Sequence, residues 1–573
     1  MRKFKVIAMA LMFTLVIGTA CSFACTAVYV GKDVSSDGTT IMARSEDQGS
    51  GAYNKMFVVV PRETKAGRYM VDTGADQNGF KVPLPKTTFK YTMVPDYSDA
   101  GDGTYPGACT NEYGLSITGT VSASPSETFE KADPYNETGT GLREAILPGL
   151  IACQSKTAKE AVMKIAKYVD EIGSEEGNIL TMADQKEAWI IEIYGGHQYA
   201  AMKMPTDKVA VFGNQFMIGE VDQKDTENFI FSKDLFTTID KTGKAVKEAN
   251  GNYNLVKSIS GSREEYSNMR TWIGHKTFAP STVGEYVNDE FYPLFYKPDK
   301  KVSPTEIMNL YRNRYEGTPF DMKDPKNATR RPIGVTRQSQ IHIMQTYANM
   351  PKSMATVTWM AFGNAEHSVF IPTFSGITDT PAAYKVDGSV YNSDGAYWAF
   401  KRICGLAESD RTHLGASTQD FFRLQEEMMY KQMQKEVTKV AKLYKNSPKS
   451  AKTYVTKLAK TMTQKELNNS DKLFNDLFTV QMDNINDRNG GRMTTFVADT
   501  QLKEAAQYFG YTVKKSGTTY KLTKGNNVYK LTLGDNMCKA TIDGAVSEIE
   551  LAKAPYMDGK TVYVPLDFIR GLK

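Results

Sequence analysis

Val6 to Gly18 is an almost unbroken apolar stretch of 13 residues, with Arg2, Lys3 and Lys5 before it and small residues after it. That is too short for a bilayer-spanning helix, which needs about 20 residues. It suits the hydrophobic region of a signal peptide, with Ser22-Phe23-Ala24 as a small-x-small cleavage site before Cys25. Nothing else in the chain approaches 18 consecutive apolar residues, so the remainder of the chain must bury its apolar side chains in a core of its own. The expectation is a leader over 1–24 and an exported product, secreted or held at the cell surface. Cys21 offers a competing signal as a lipoprotein cysteine, but Gly18-Thr19-Ala20 lacks the usual Leu three residues before it. Lipid anchoring is therefore the minority alternative.

The remaining composition is that of an ordinary globular protein. Hydrophobic residues make up 41% and charged residues 24% of the 573, which excludes disorder over most of the length and any low-complexity fibre. The formal charge of +5 loses three cationic side chains with the leader and becomes +2. With no concentrated basic stripe, no nucleic-acid partner is expected. Removal of Cys21 leaves Cys25, Cys109, Cys153, Cys404 and Cys538, an odd number for an exported chain, so at least one thiol is unpaired or pairs between chains. No Cys-x-x-Cys occurs, and His197, His275, His342, His367 and His413 stand singly. Zinc-ligand spacing is missing, and no metal or cofactor is expected.

Local patterns set the organisation. Cys25-Thr-Ala-Val-Tyr-Val-Gly reads as a strand, and Asp37-Gly38 turns it into a second strand over Thr39 to Ala43. Asn111-Glu112-Tyr113-Gly114 is a turn into a strand over Leu115 to Val121. Thr157 and Glu160 form a capping box ahead of the stripe Ala161, Ile165, Val169 and Ile172, and Gly173 ends that helix. Further strands are expected at Ala188 to Tyr194, Val209 to Phe212, Ala355 to Ala361 and Ser368 to Ile371. From Ser417 a helical period takes over through about 485. Asn489-Gly490-Gly491 marks a composition shift. Beyond it, Thr518 to Leu522 and Val528 to Leu533 flank Gly525-Asn526-Asn527 as a hairpin. The expected division is a leader over 1–24, a mixed body over 25–490 and a small α+β domain over 491–573.

Cys25 carries the chemistry. Cleavage after Ala24 gives it a thiol and a free α-amine whose ordinary pKa of about 7.7–8.0 leaves much of it neutral near neutral pH. The amine is then a general base for its own side chain, with no histidine needed. Arg44 and Asp47 follow the strand that returns toward Cys25. A guanidinium there lowers a thiol pKa, and a carboxylate near the α-amine fixes its orientation.

Cys25-Thr26, Asp37-Gly38 and Ala43-Arg44-Ser45-Glu46-Asp47 together resemble the PepD-like dipeptidases, cysteine members of the N-terminal-nucleophile (Ntn) hydrolase superfamily. Thr110 to Leu115, Ala183-Asp184 with Glu187-Ala188-Trp189, Asn214 to Glu220, Glu316 to Asp321, Arg331-Pro332-Ile333, Thr358 to Gly363 and Ser368 to Pro372 extend the likeness over roughly residues 25 to 470. The resemblance implies an α+β fold, a four-layer αββα sandwich with the nucleophile at the start of a central strand, and hydrolysis of peptide or amide bonds. It also implies roles: Cys25 as nucleophile and base, Arg44 and Asp47 beside it, and Asn214 as side-chain oxyanion donor. A backbone N–H near Thr120 is the second donor, and Arg331 a further active-site arginine. Asn111 is read as a turn residue and His342 as structural.

The terminal segment, with Asp558 to Leu566, resembles the module named after the copper amine oxidase N-terminal region. No histidine lies in 490–573, so copper has no evident ligands there, and cell-surface attachment or substrate presentation is the expected role. Three readings stand at this point. The first is a secreted cysteine dipeptidase acting on short peptides with free N-termini. The second is an Ntn hydrolase of N-acyl, β-lactam or bile-salt amides, and the third a surface-binding protein with an inactive hydrolase body.

Overall fold

The computed structural model describes residues 25–572 apart from 50, 75, 78, 102, 262, 488–490 and 492. The expected leader, its cleavage site and Cys21 lie outside the described residues, as does most of the expected linker. No helix among the described residues is long and apolar enough to cross a membrane.

The body is mixed α and β. Its principal strands are β1 (Thr26–Val30), β2 (Thr40–Asp47), β3 (Val58–Val60), β4 (Tyr91–Met93), β5 (Ala108–Asn111), β6 (Ser116–Ser122) and β7 (Asn178–Ala183). They continue with β8 (Ala188–Ile193), β9 (Tyr199–Lys203), β10 (Val209–Phe212), β11 (Phe229–Phe231), β12 (Gln338–Thr346), β13 (Thr356–Phe362) and β14 (Ile371–Phe374). Two antiparallel sheets result, one in the order β10-β1-β2-β12-β13-β14 and the other β11-β9-β8-β7-β6-β5-β4-β3. The sheets meet where β1 and β2 contact β6 and β7.

Alternation decides what each face touches. On the second sheet, Ile179, Ile190 and Ala200 join the core shared with the first sheet, while Leu180, Met182, Ile191 and Ile193 join a second core. That second core is completed by helices α1 (Leu147–Ala152) and α2 (Ala158–Ile172). Helix α2 buries Ala158, Ala161, Val162, Ile165 and Val169, and Thr157 Oγ1 caps it by accepting from the Glu160 N–H at 3.2 Å. Against the first sheet pack α3 (Glu265–Phe278) on β10, and α4 (Ala396–Ser409), α5 (Ala416–Asn446) and α6 (Pro448–Asp487) on β13 and β14.

Three differences from the sequence reading have physical causes. Strand β2 runs through Asp47 instead of ending at Ala43, because β12 pairs with it to Gln338↔Asp47. The strand expected from Ser368 begins only at Ile371: Ala365–His367 is a 3-10 turn, and the Phe370 N–H is committed to Glu426 Oε1 at 3.0 Å. The helical region is two helices. Ser447 is extended and Pro448 has no N–H to continue the ladder. The Lys439–Tyr454 and Gln425–Asn469 bonds fold α6 back antiparallel on α5.

The terminal segment forms a five-stranded antiparallel sheet from Thr512–Ser516 to Ala545–Glu550 and a three-stranded one of Asp499–Gln501, Thr561–Pro565 and Tyr556–Asp558. The Thr519–Lys524 and Asn527–Thr532 strands pair as the expected hairpin, with Gly525 at φ +56° in its turn. Arg570 ties the segment to α5 through Asp420 and Glu427, each at 2.8 Å.

Candidate active site

Cys25 stands immediately before β1, and the hairpin register Thr26↔Ser45, Ala27↔Arg44 brings β2 back alongside it. Side chains on β2 therefore split between two environments. Arg44 and Glu46 share the face turned to the second sheet, and Ser45 and Asp47 take the other.

On the first face Arg44 Nη2 donates to Cys25 Sγ at 3.0 Å, and its Nη1 reaches Glu46 Oε2 at 3.2 Å. Glu46 also receives Lys55 Nζ at 2.7 Å and Gln340 Nε2 at 3.0 Å. Burial works against its charge, but Lys55 and Arg44 outweigh that and hold its carboxyl below the usual range. The backbone at Gly107 comes so close that a Cβ there would lie 2.6 Å from Glu46 Oε2 and 3.1 Å from Arg44 Nη1. Only glycine fits. Cys25 itself is 2% exposed. Burial pushes its thiol up to about 11, Arg44 pulls it down, and Asp47, Glu144 and Glu46 push it up again. In the chain that begins at Met1 the sulfur is thus a protonated thiol at neutral pH.

On the other face the Cys25 backbone nitrogen donates to Asn214 Oδ1 at 3.0 Å. Arg270 Nη2 donates to the same oxygen at 2.9 Å. A guanidinium has only donors, so this contact fixes which amide atom is oxygen and turns the Asn214 NH2 toward Ser122 O, 3.0 Å away. Arg270 Nη1 also donates to the Cys25 carbonyl and to Thr26 Oγ1. Burial lowers its pKa to about 10, with nearby Arg331 adding to the effect and Asp47 opposing it. Asp47 Oδ2 takes Arg331 Nη2 and, at 3.5 Å, the Ser45 hydroxyl, whereas its Oδ1 has no hydrogen-bond partner among the described residues. Burial pushes that carboxyl above its usual range against the pull of Arg331 and Arg270.

Of the six residues singled out in the sequence, Cys25, Arg44, Asp47, Asn214 and Arg331 thus lie in one contact network. Thr120 lies in β6 where the pairing with β7 slips between Gly119 and Val121, making it the extra residue of a bulge whose backbone is released from that ladder. His342 sits opposite Arg44 between Gln340 and Thr118, and burial, then Arg44, lowers it to about 3, so it is a neutral packing group. Asn111 holds its own turn together, its Oδ1 accepting from the Tyr113 and Leu115 N–H groups.

Sequence reasoning missed Arg270, Tyr105 and Glu144. Arg270 lies on α3, where every residue from Ser267 to His275 is buried, so no polar face marks it. Tyr105 adopts φ +41°, a sparsely populated conformation for a residue with a side chain. That turn lays its ring beneath Arg44 at 6.0 Å and Lys55 at 5.3 Å and brings its hydroxyl to Glu144 Oε1.

Among the described residues, one group of side chains has metal-ligand composition: Glu366, His367 and Glu408 bring ligand atoms within 4.8 Å of one another. Arg314 and Arg411 already pair with both carboxylates, so the group is closed by ion pairs. Residues 495–572 contain no histidine and one thiol, Cys538, which is buried. They do not fit a copper site.

Comparison with known proteins identifies the family. A profile described as peptidase family C69 matches residues 24–423, and one described as copper amine oxidase N-terminal domain matches residues 495–572. A probable dipeptidase B of Streptococcus pyogenes serotype M1 is 33% identical over 459 residues, 78% of this chain and 90% of that protein. A probable dipeptidase B of Lactococcus lactis subsp. lactis (strain IL1403) is 28% identical over 397 residues, 67% of this chain and 81% of that protein. A solved mutant of conjugated bile acid hydrolase from Clostridium perfringens aligns at TM-score 0.29 and 10% identity, covering 61% of this chain and 92% of that one, too distant to carry weight. The chain is an enzyme of peptidase family C69 with a copper amine oxidase N-terminal domain at its C-terminal end.

Proposed function

We propose that this enzyme is an exported cysteine dipeptidase whose nucleophile is an N-terminal cysteine created when the leader 1–24 is removed. One constellation carries the reading: Cys25 Sγ receives Arg44 at 3.0 Å while the nitrogen of the same residue reaches Asn214 at 3.0 Å. Thiol, prospective amine, guanidinium and amide oxygen converge on one residue.

Cleavage after Ala24 turns the Cys25 nitrogen into an α-amine with an ordinary pKa of about 7.7–8.0. The amine takes the thiol proton and the sulfur attacks the scissile carbonyl carbon, with Arg44 facing the developing thiolate. The carbonyl oxygen becomes an oxyanion held by the Asn214 NH2 and the Thr120 backbone N–H. The amine then passes its proton to the departing nitrogen and a thioester remains. Water adds to that thioester, the amine again taking and returning a proton, and the acid and the free thiol are regenerated. Asp47 orients the amine, with Arg331 holding the carboxylate in place. The pairing of two sheets with helices outside each supports a four-layer αββα arrangement, with Cys25 at the start of an inner strand. In this reading the catalytic body spans 25–490 and the module 491–573, and the module attaches the enzyme to the cell surface. Its outermost strand Ala545–Glu550 is almost wholly exposed, Val546 most of all at 79%.

The test is the mass and N-terminal sequence of the exported protein together with Cys25→Ala. A chain starting at Cys25, dipeptide hydrolysis abolished in the alanine variant and a trace kept in Cys25→Ser are the expected results. Full activity in Cys25→Ala would sink the mechanism.

A further inference from the structure

Glu144 belongs to no strand, yet it lies among the residues around the Cys25 thiol and is 5% exposed. Its Oε1 accepts from the Tyr105 hydroxyl and, at 3.2 Å, from the Ser122 hydroxyl. Its backbone N–H is fixed by Glu176 Oε1 at 2.8 Å. Oε2 is buried and has no hydrogen-bond partner among the described residues. A carboxylate oxygen placed this way is costly unless something of opposite charge meets it. No neighbouring cation donates a hydrogen bond to Oε2. Arg44, which donates to Glu46 and Cys25, meets this carboxyl through its charge alone, and Arg143, the next residue, pairs with Asp72 at 2.8 Å.

Ser122 fixes where the unused oxygen lies relative to the chemistry. Its hydroxyl is on Glu144, its carbonyl accepts from the Asn214 NH2, and it is two residues beyond the Thr120 bulge. Ser122 thus joins the carboxyl that carries the unused oxygen to the strand and the side chain that hold both oxyanion donors, and the thiol feels the charge of that carboxyl, which raises its proton affinity. In a dipeptide the cationic α-ammonium is separated from the scissile carbonyl carbon by a single carbon. An enzyme for such substrates needs an anionic acceptor about that far from its oxyanion donors.

We propose that Glu144 is the substrate-binding carboxylate, its Oε2 accepting from the free α-ammonium of the peptide, with Tyr105 and Ser122 holding Oε1 and so aiming Oε2. This rests on the dipeptidase reading and adds to it the residue that recognises the free amino terminus. Tyr105 is suited to the task because burial and then Glu144 raise its hydroxyl pKa, keeping it a donor. Its strained backbone is what delivers the hydroxyl to that spot.

The experiment compares a free dipeptide amide-bond substrate with its N-acetylated counterpart, using wild type, Glu144→Gln and Glu144→Asp, with titration of the Cys25 thiol to count intact sites. Wild type should favour the free amine. Glu144→Gln should lose at least about 30-fold in kcat/KM on the free dipeptide, mostly through KM, because a buried charge partner has gone. The same variant should stay within about threefold on the acetylated peptide, where no charge is lost. Glu144→Asp keeps the charge and should retain part of the preference. A Glu144→Gln enzyme that still prefers the free amine as wild type does overturns the proposal and leaves the dipeptidase reading standing. Equal loss on both substrates also overturns it, since Glu144 would then act on the Cys25 amine. A wild type that cleaves only the acetylated peptide overturns both.

Discussion

Two charge clusters in this molecule, one partly and one wholly buried, look alike in composition and differ in what they leave over. At the end of α4, Glu366, His367 and Glu408 meet Arg314 and Arg411, and every carboxylate in the group faces a guanidinium. The charges cancel within the cluster, which ties Arg314 and Glu366 to the helix end. Around Cys25, Arg44 divides its donors between Glu46 and the thiol, while Asp47 Oδ1 and Glu144 Oε2 have no hydrogen-bond partner among the described residues. Density of charge therefore does not distinguish a working site from a structural knot. Acceptors left without a hydrogen-bond partner whose charges act on a thiol do.

The largest effect expected short of removing the thiol is on the donor side of this site. Asn214→Ala deletes an NH2 whose direction Arg270 fixes, and kcat should fall by about 10²–10³ with KM changed far less, the usual consequence of losing one oxyanion donor. Steady-state kinetics on a dipeptide check this. If kcat holds and only KM rises, Asn214 is a binding residue and the contrast between the two clusters loses its catalytic half.

The second expected effect separates precursor from mature enzyme. Burial pushes the Cys25 thiol up to about 11, so in the uncleaved chain only about 10⁻³ of it is thiolate at pH 8, roughly a hundredth of the value for an ordinary thiol. A Cys25-selective alkylation rate should therefore climb tenfold per pH unit from pH 7 to about 10 in a precursor whose leader is retained. In the chain starting at Cys25 the rate should rise at lower pH, because the α-amine can take the proton. Identical profiles would show that the amine does not serve as base.

Much of this was legible in the sequence because it is local. The β1–β2 hairpin, the Thr157 cap of α2 and the terminal hairpin each rest on a turn or capping residue next to its own periodic run. Arg44 could be placed beside Cys25 because two consecutive antiparallel strands bring the chain back alongside its own start. Glu144, Tyr105 and Arg270 could not be placed that way. They reach the site from 80 or more residues along the chain, and α3 is buried all round, so its arginine leaves no amphipathic trace. The break at Pro448 shows the converse error: the apolar period runs on through it, but the missing N–H turns the chain back.

The smallest expected effect concerns the closed cluster, and it is the control for the comparison. Glu408→Gln removes one charge from a group that has no part in the reaction, so kcat and KM should be unchanged while the fold loses about 1–3 kcal/mol. The pH dependence has a definite sign. Burial opposes the Glu408 charge, but the hydrogen bond from His367 and the charges of Arg314 and Arg411 outweigh it and hold the carboxyl at about 2 against an ordinary 4.5. A carboxyl lowered by folding contributes stability that is complete above its unfolded pKa and disappears as pH falls through its folded value. Wild type should therefore lose this increment between pH 4.5 and 2, and Glu408→Gln should show a shallower acid limb in denaturant melts taken across that range. A loss of activity at constant stability would mean that this cluster, too, reaches the reaction, and that unpaired acceptors alone do not mark the working site.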